Sequence, residues 1–172
     1  MKALITYFSQ TDNTKKVGQA ICEEIRKRAE VDFKSLGSVE DKPIEGYDLF
    51  ILGTPIHSGG LPPRVADFLA SINDAPGFRM AAFVTHMSTV YQKENFERGI
   101  AHLQQAAQDK NIPFLGTFDC QGKLADNLQA MVQETRNIPK DTWQALMDET
   151  NKHPDAADLA NARAFAQGIL AK

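Results

Sequence analysis

No stretch of this chain gathers lysine and arginine into a block, and the formal net charge is −3. A nucleic-acid surface needs a concentrated basic stripe to neutralise phosphates, so nucleic acid is not an expected partner. Long hydrophobic runs are also missing. The N-terminal MKALITYF stops at a polar turn, too early for a signal-peptide core or a membrane span, and reads as a buried strand. No membrane partner is expected. Cysteine is scarce: Cys22 and Cys120 stand far apart and outside any CxxC pair. That leaves no disulfide framework and no zinc cage, and makes a reducing cytoplasm the simplest setting. The histidines His57, His86, His102 and His153 show no ligand spacing and no accompanying acid cluster, so no metal is expected. There is no GxGxxG fingerprint, no nucleophile triad, no internal repeat and no low-complexity tract.

What remains is globular: 172 residues, 42% hydrophobic and 24% charged, the length of one ordinary domain covering 1–172. Strand-length apolar runs alternate with amphipathic helical patterns, the signature of a parallel sheet with helices on both faces. The strands read ALITYF (3–8), VDFKSL (31–36), DLFILGTP (48–55), MAAFVTH (80–86) and FLGTFDC (114–120). LFIL and AAFV, apolar on both faces, suit central strands, whereas the alternation in VDFKSL suits an edge. Helices are expected over roughly 13–29, 62–72, 92–110 and 155–171, the last announced by Pro154 and two early aspartates. Residues 123–153 do not fit the alternation and read as a helical insertion of two short helices. Pro139 separates a pattern carrying Leu128, Met131 and Val132 from one carrying Trp143, Leu146 and Met147.

In an open parallel sheet, ligands bind beyond the carboxyl ends of the strands, which selects the loops SQTDNT, TPIHSGGLPP, THMSTVY and CQGKL. The first runs straight into a helix, so its backbone N–H groups and the hydroxyls of Ser9, Thr11 and Thr14 can converge on an anion such as a phosphate. The plain alternative is that Thr11, Asp12 or Asn13 caps the helix. Three hydroxyls and an amide within six residues exceed what one cap requires. The second loop holds Gly53, Gly59, Gly60, Pro62 and Pro63, a backbone able to approach a flat ligand closely. His57 there and Tyr91 in the third loop are two flat side chains that either flank a planar ring or pack on the surface. Cys120, at the end of the fifth strand, has no evident partner base and is given no catalytic role. No catalytic residue is assigned.

From these motifs the chain resembles the flavodoxins and flavodoxin-like FMN proteins. The resemblance runs through the strand and hydroxyl-rich loop at 3–14, DLFILGTPIHSGG, PPRVADFL, THMSTVY and HPDAADLANARAFA. The family's phosphate loop usually reads Thr or Ser, any residue, Thr, Gly, Asn or Gln, Thr. SQTDNT departs from it only in placing Asp12 where glycine stands. The resemblance implies an α/β three-layer sandwich with a five-stranded parallel sheet in the order 2-1-3-4-5. It implies FMN, with the phosphate held by Ser9, Gln10, Thr11, Asp12, Asn13 and Thr14. The flavin ring would lie between Thr54, Pro55, Ile56, His57, Ser58, Gly59 and Gly60 on one side and Thr85, His86, Met87, Ser88 and Tyr91 on the other, with Tyr91 as the stacking aromatic. Asp tolerates the left-handed backbone region better than most residues, so Asp12 can keep the turn a glycine would make.

The functional expectation is an FMN redox protein in which the flavin supplies the reactivity and the chain supplies position and electrostatics. It would act either as a carrier between redox partner proteins or as a small reductase passing electrons to a small-molecule acceptor. A net charge of −3 is mild for a dedicated carrier, and residues 123–153 leave the sheet at the ligand rim, where they would cover the site. A homodimer is left open. The alternative is a flavin-free interaction module on the same fold with an altered phosphate loop.

Overall fold

The structure, a computed structural model, describes residues 1–40, 44–87 and 93–172, and the side chains of all these but 93–95. Strands β1 (Lys2–Tyr7), β2 (Glu30–Ser35), β3 (Leu49–Pro55), β4 (Arg79–His86) and β5 (Phe114–Gln121) form one sheet in the order β2-β1-β3-β4-β5. Every pairing is parallel, as the resemblance implied. Between and after them run α1 (Asn13–Ile25), α2 (Pro63–Ser71), α3 (Lys93–Asp109), α4 (Asp126–Thr135), α5 (Lys140–Thr150) and α6 (Ala156–Leu170). None of these helices is long and apolar enough to cross a membrane.

Side chains alternate across a strand, so each apolar run feeds two cores. Leu4, Phe50, Leu52, Met80 and Val84 pack with Val65, Phe68 and Leu69 of α2 and Leu103 of α3. Ile5, Ile51, Ala81 and Phe83 face the other way, onto Val17 and Ile21 of α1 and Ala162, Ala166 and Ile169 of α6. The apolar runs read from the sequence as central strands are therefore covered on both sides. β2 is an edge, as its alternation suggests, and β5 forms the opposite edge with a register shift against β4 between Met80 and Ala82.

Phe83 has no exposed surface and sits where two glycines leave room. A Cβ on Gly53 of β3 would lie 2.1 Å from the Phe83 ring, and one on Gly18 of α1 would lie 2.9 Å from it. The pair lets an aromatic fill the layer between helix and sheet.

Helix ends follow local chemistry. The first helix stops at Ile25, earlier than the expected 29, because Lys27 N–H and Arg28 N–H step back only three residues, to the carbonyls of Glu24 and Ile25. α6 begins in a capping box: Asp158 N–H donates to Asp155 Oδ1 at 2.8 Å and Asp155 N–H to Asp158 Oδ2 at 2.9 Å. The insertion does form two helices, with Pro139 immediately ahead of α5. Trp143, Met147 and Thr150 are buried on one face of α5. α4 buries none of its residues, and Met131, read from the sequence as part of its apolar face, is 55% exposed.

His153 ties α5 to α6: its Nδ1 lies 2.5 Å from Asp158 Oδ2 and its Nε2 lies 3.6 Å from Glu149 Oε1. The hydrogen bond to Asp158 raises the His153 pKa against the opposing effect of burial, and Glu149 and Asp155 push the same way as Asp158.

Two expectations follow from these contacts. Gly53→Ala forces a methyl into the Phe83 ring and should lower the free energy of urea unfolding by about 1–3 kcal/mol, with the slope unchanged. A histidine whose folded pKa exceeds its unfolded value stabilises fully below about pH 6.5 and loses that contribution as pH rises through the raised value. The urea midpoint should therefore fall between about pH 6 and about pH 8, and His153→Gln should remove that component. An identical pH profile in the variant would assign the tether no energetic role.

Candidate functional site

The carboxyl ends of β1, β3, β4 and β5 share one rim because the strands run parallel, with Tyr7 opposite Gly53, Pro55 opposite Thr85 and His86 opposite Gln121. The four loops selected from the sequence leave from this rim.

The first loop, residues 8–12, enters α1 through Asp12, whose φ of 60° and ψ of 0° lie in the left-handed region. An aspartate thus makes the corner that glycine usually makes. The N-cap residue Asp12 makes no side-chain hydrogen bond to α1, and no such bond comes from Thr11 or Asn13 among the described residues, so the capping alternative is not realised. Gln10 and Asp12 are exposed and Thr11 is half-buried. The Ser9 Oγ is buried and has no hydrogen-bond partner among the described residues, an arrangement that costs free energy unless a further group supplies one. Asn13 and Thr14 are both buried. Asn13 Nδ2 donates to the Lys123 carbonyl at 3.3 Å, across the loop that follows β5. Gly122 admits this contact, since a Cβ there would lie 3.1 Å from the same nitrogen. Thr14 Oγ1 lies 2.8 Å from Thr85 Oγ1 at the end of β4. Its hydroxyl, expected from the sequence to face an anion directly, is shared with a neighbouring strand.

In the second loop the buried Thr54 donates its hydroxyl to the Pro55 carbonyl at 3.0 Å. Ile56 N–H donates to the Thr85 carbonyl at 2.9 Å. Its side chain lies over Gly99 of α3, where a Cβ would come within 2.4 Å of Ile56 Cδ1. His57 and Gly60 exchange two backbone hydrogen bonds of 2.9 Å around a two-residue turn. The turn residues Ser58 and Gly59 have φ of 49° and 84°, the positive pair that the tightest hairpins require. The HSGG stretch is therefore a rigid hairpin whose His57 and Ser58 are exposed.

The third loop leaves β4 through Thr85, His86 and Met87; Ser88 and Tyr91, the latter the expected stacking aromatic, lie outside the described residues. His86 is buried, stacks on Phe96 of α3 with ring centroids 4.1 Å apart and planes at 7°, and places Nε2 3.2 Å from Asp119 Oδ2. One face and one nitrogen of this ring are thus committed within the protein. Met87 is half-buried.

Cys120 is buried near the rim, and burial drives its thiol pKa far up, with Asp158, Asp119 and Asp155 adding to the effect. Such a thiol stays protonated and is a poor nucleophile. His153, Asp155 and Asp158 bring ligand-type atoms within 4.8 Å of one another, a grouping the sequence reading did not find. The α6 capping box and the tether to α5 account for it.

Several contacts at the rim escaped the sequence: Phe96 beneath His86, Asp119 beside it, and Gly122 and Lys123 against Asn13. Each is a generic residue in an apolar helix face, an edge strand or a loop. Only strand register, helix packing and the path of the loop bring them to the site.

Comparison with known proteins places this geometry. The flavodoxin domain family model matches residues 4–167. The chain is 29% identical over 179 aligned residues to the flavodoxin-like domain-containing protein BilS of Clostridioides difficile, covering all of this chain and 98% of that one. Among solved structures, oxidised Flavodoxin 2 from Bacillus cereus superposes with a TM-score of 0.71 at 19% identity, covering 99% of each chain. The azoreductase AzrA shares the fold at a TM-score of 0.59 and 9% identity, covering 96% of this chain and 99% of that one. With the sheet order, the left-handed turn into α1 and the partnerless Ser9 hydroxyl at the rim, the chain belongs to the flavodoxin domain family, which implies FMN as its cofactor.

Proposed function

We propose that this chain is an FMN-dependent electron-transfer protein that exchanges electrons with a partner protein at the rim, in the manner of a flavodoxin. The observation that carries the cofactor assignment is the buried, partnerless Ser9 Oγ in a loop that leads into an uncapped helix start. A phosphate group would satisfy both the hydroxyl and the free N–H groups of the first turn of α1. Ser9, Thr11, Asn13 and Thr14 would hold the phosphate, with Gln10 and Asp12 on the solvent side. The hairpin from His57 to Gly60, with Thr54, Pro55 and Ile56 behind it, would hold the ring opposite Met87 and the residues that follow.

When bound, FMN supplies one- and two-electron chemistry. The chain contributes position. The hairpin is locked by its paired backbone hydrogen bonds, and Ile56 is pinned between the Thr85 carbonyl and α3, so the ring loop meets its ligand with little reorganisation. Two features favour exchange with a protein surface: the side chains of His57 and Ser58 at the hairpin and of Gln10 and Asp12 in the first loop are exposed.

A reductase acting on a small acceptor is the second reading, and one observation favours it. The α4–α5 segment starts at Lys123, whose carbonyl is bonded to Asn13 beside the first loop, and it buries Trp143 and Met147. A segment anchored there would limit access to the rim. Cytoplasmic residence accords with the two free, buried cysteines.

The cofactor site is tested by Ser9→Ala. It removes a buried hydroxyl that has no partner in the free protein, so stability without flavin should hold or rise slightly. FMN affinity should fall by about 1.5–3 kcal/mol, with riboflavin affinity unchanged, both read by flavin fluorescence quenching. Asp12→Gly should tighten FMN several-fold at low ionic strength, because it removes a negative charge near a dianion while keeping the left-handed turn. That gain should shrink in high salt. Weaker FMN binding would show that the Asp12 carboxylate makes a contact that outweighs its repulsion. A purified protein with no flavin spectrum and no affinity for added FMN would favour the flavin-free module.

Carrier and reductase separate on access. If the insertion is a cover, replacing 124–152 with a short linker should speed oxidation of the reduced protein by a small artificial acceptor. Equal rates would return the segment to peripheral packing and remove the one observation that favours the reductase.

A further inference from the structure

We infer that Thr85 is a positioning residue that never touches the FMN phosphate, yet sets the affinity for it by fixing the direction of the Thr14 hydroxyl proton. The inference rests on the assignment of the first loop to phosphate. Its basis is the pair of hydroxyls 2.8 Å apart, Thr14 Oγ1 and Thr85 Oγ1, both on buried residues 2% and 4% exposed.

Each hydroxyl has one proton to give and can accept from others. Within the pair either oxygen can be the donor, and the two directions have opposite consequences at the rim. If Thr14 donates to Thr85, its only proton is used and a lone pair faces the incoming anion. If Thr85 donates to Thr14, the Thr14 proton is free to point at the anion. A dianion in the loop selects the second direction. The result is a chain from Thr85 to Thr14 to phosphate, in which each bond polarises the next within a site screened from water.

Thr85 is suited to the task because its backbone is fixed independently. Its carbonyl accepts the Ile56 N–H at 2.9 Å, and the parallel ladder sets it opposite Pro55 on one side and Cys120 on the other. Strand β4 therefore presents the hydroxyl from a rigid element to the first turn of α1. The same residue meets the phosphate loop through its side chain and the ring loop through its main chain.

The experiment compares dissociation constants for FMN and for riboflavin in the parent, Thr85→Val, Thr85→Ser, Thr14→Val and the double variant Thr14→Val/Thr85→Val. Parent affinity for FMN well above that for riboflavin tests the phosphate assignment itself, and similar affinities for the two would overturn that assignment. Given that preference, Thr85→Val should raise the FMN constant about tenfold and leave riboflavin within about twofold. Thr85→Ser, which keeps the hydroxyl, should restore FMN binding. In the Thr14→Val background, Thr85→Val should have no further effect on FMN, because the group through which it acts is gone. Equal losses for FMN and riboflavin in Thr85→Val, an undiminished effect in the Thr14→Val background, or a Thr85→Ser variant as weak as Thr85→Val would each overturn the inference. Should Thr85→Val fail to fold, Thr85→Ser and Thr14→Val decide it. Parent-like FMN binding in the serine variant together with a phosphate-specific loss in Thr14→Val supports the relay, and any other result overturns it.

Discussion

The arrangement depends on a close approach at Gly53. In this position β3 pairs with Tyr7 on one side and Phe83 on the other, and its carbonyl takes the Phe8 N–H where the first loop begins. The Phe83 ring lies so near that a Cβ there would force it to shift. Parallel strands have no hairpins to hold their ends level, so the relative height of β1, β3 and β4 rests on ladder hydrogen bonds and on what fills the layer above. Phe83, set between Gly53 and Gly18, fills that layer at the point where the loops depart. The rim is level because the core beneath it is filled.

From that rim the polar groups divide into those already satisfied and those waiting. Thr54, Asn13 and Thr14 have partners within the chain, and each partner lies in the next residue, a following loop or a neighbouring strand. Ser9 does not. The first residues of α1 are thus tied to the strand and the loop beside them, while the hydroxyl of Ser9 stays open. Asp12 belongs to the same economy of shape. Its conformation is what the turn needs, and its charge is carried on the exposed side.

The sequence made much of this legible for identifiable reasons. LFIL and AAFV are apolar at every position, and only strands covered on both faces tolerate that. The position of β2 at an edge showed in its alternation, and the division of the insertion showed in Pro139. The turn at Asp12 was legible because the resembled loop has glycine at that place and aspartate tolerates the left-handed region better than most residues. The Thr14–Thr85 bond was not legible, since it joins residues 71 apart in sequence and exists only through the packing of α1 on the sheet. The engagement of His86 was hidden in the same way. It requires the β4–β5 register that sets Val84 opposite Asp119, and an α3 that delivers Phe96 to the ring. Met131 misled because helical spacing reports a face without reporting whether anything lies against it.

The two edges of the sheet bear on how this molecule associates. An exposed edge strand offers unpaired N–H and C=O groups on which another chain can build, the starting point of aggregation and of strand addition by partners. β2 blunts its edge with charge: Lys34 pairs with Asp32, and Glu30 with Lys2 of the neighbouring strand. β5 blunts the other with its irregular register near Gly116, whose φ is 127°, and with the carboxylate of Asp119 further along. A register break and a fixed charge both penalise continuation of the ladder by a foreign strand. Extension of this sheet from molecule to molecule is thereby disfavoured at either side.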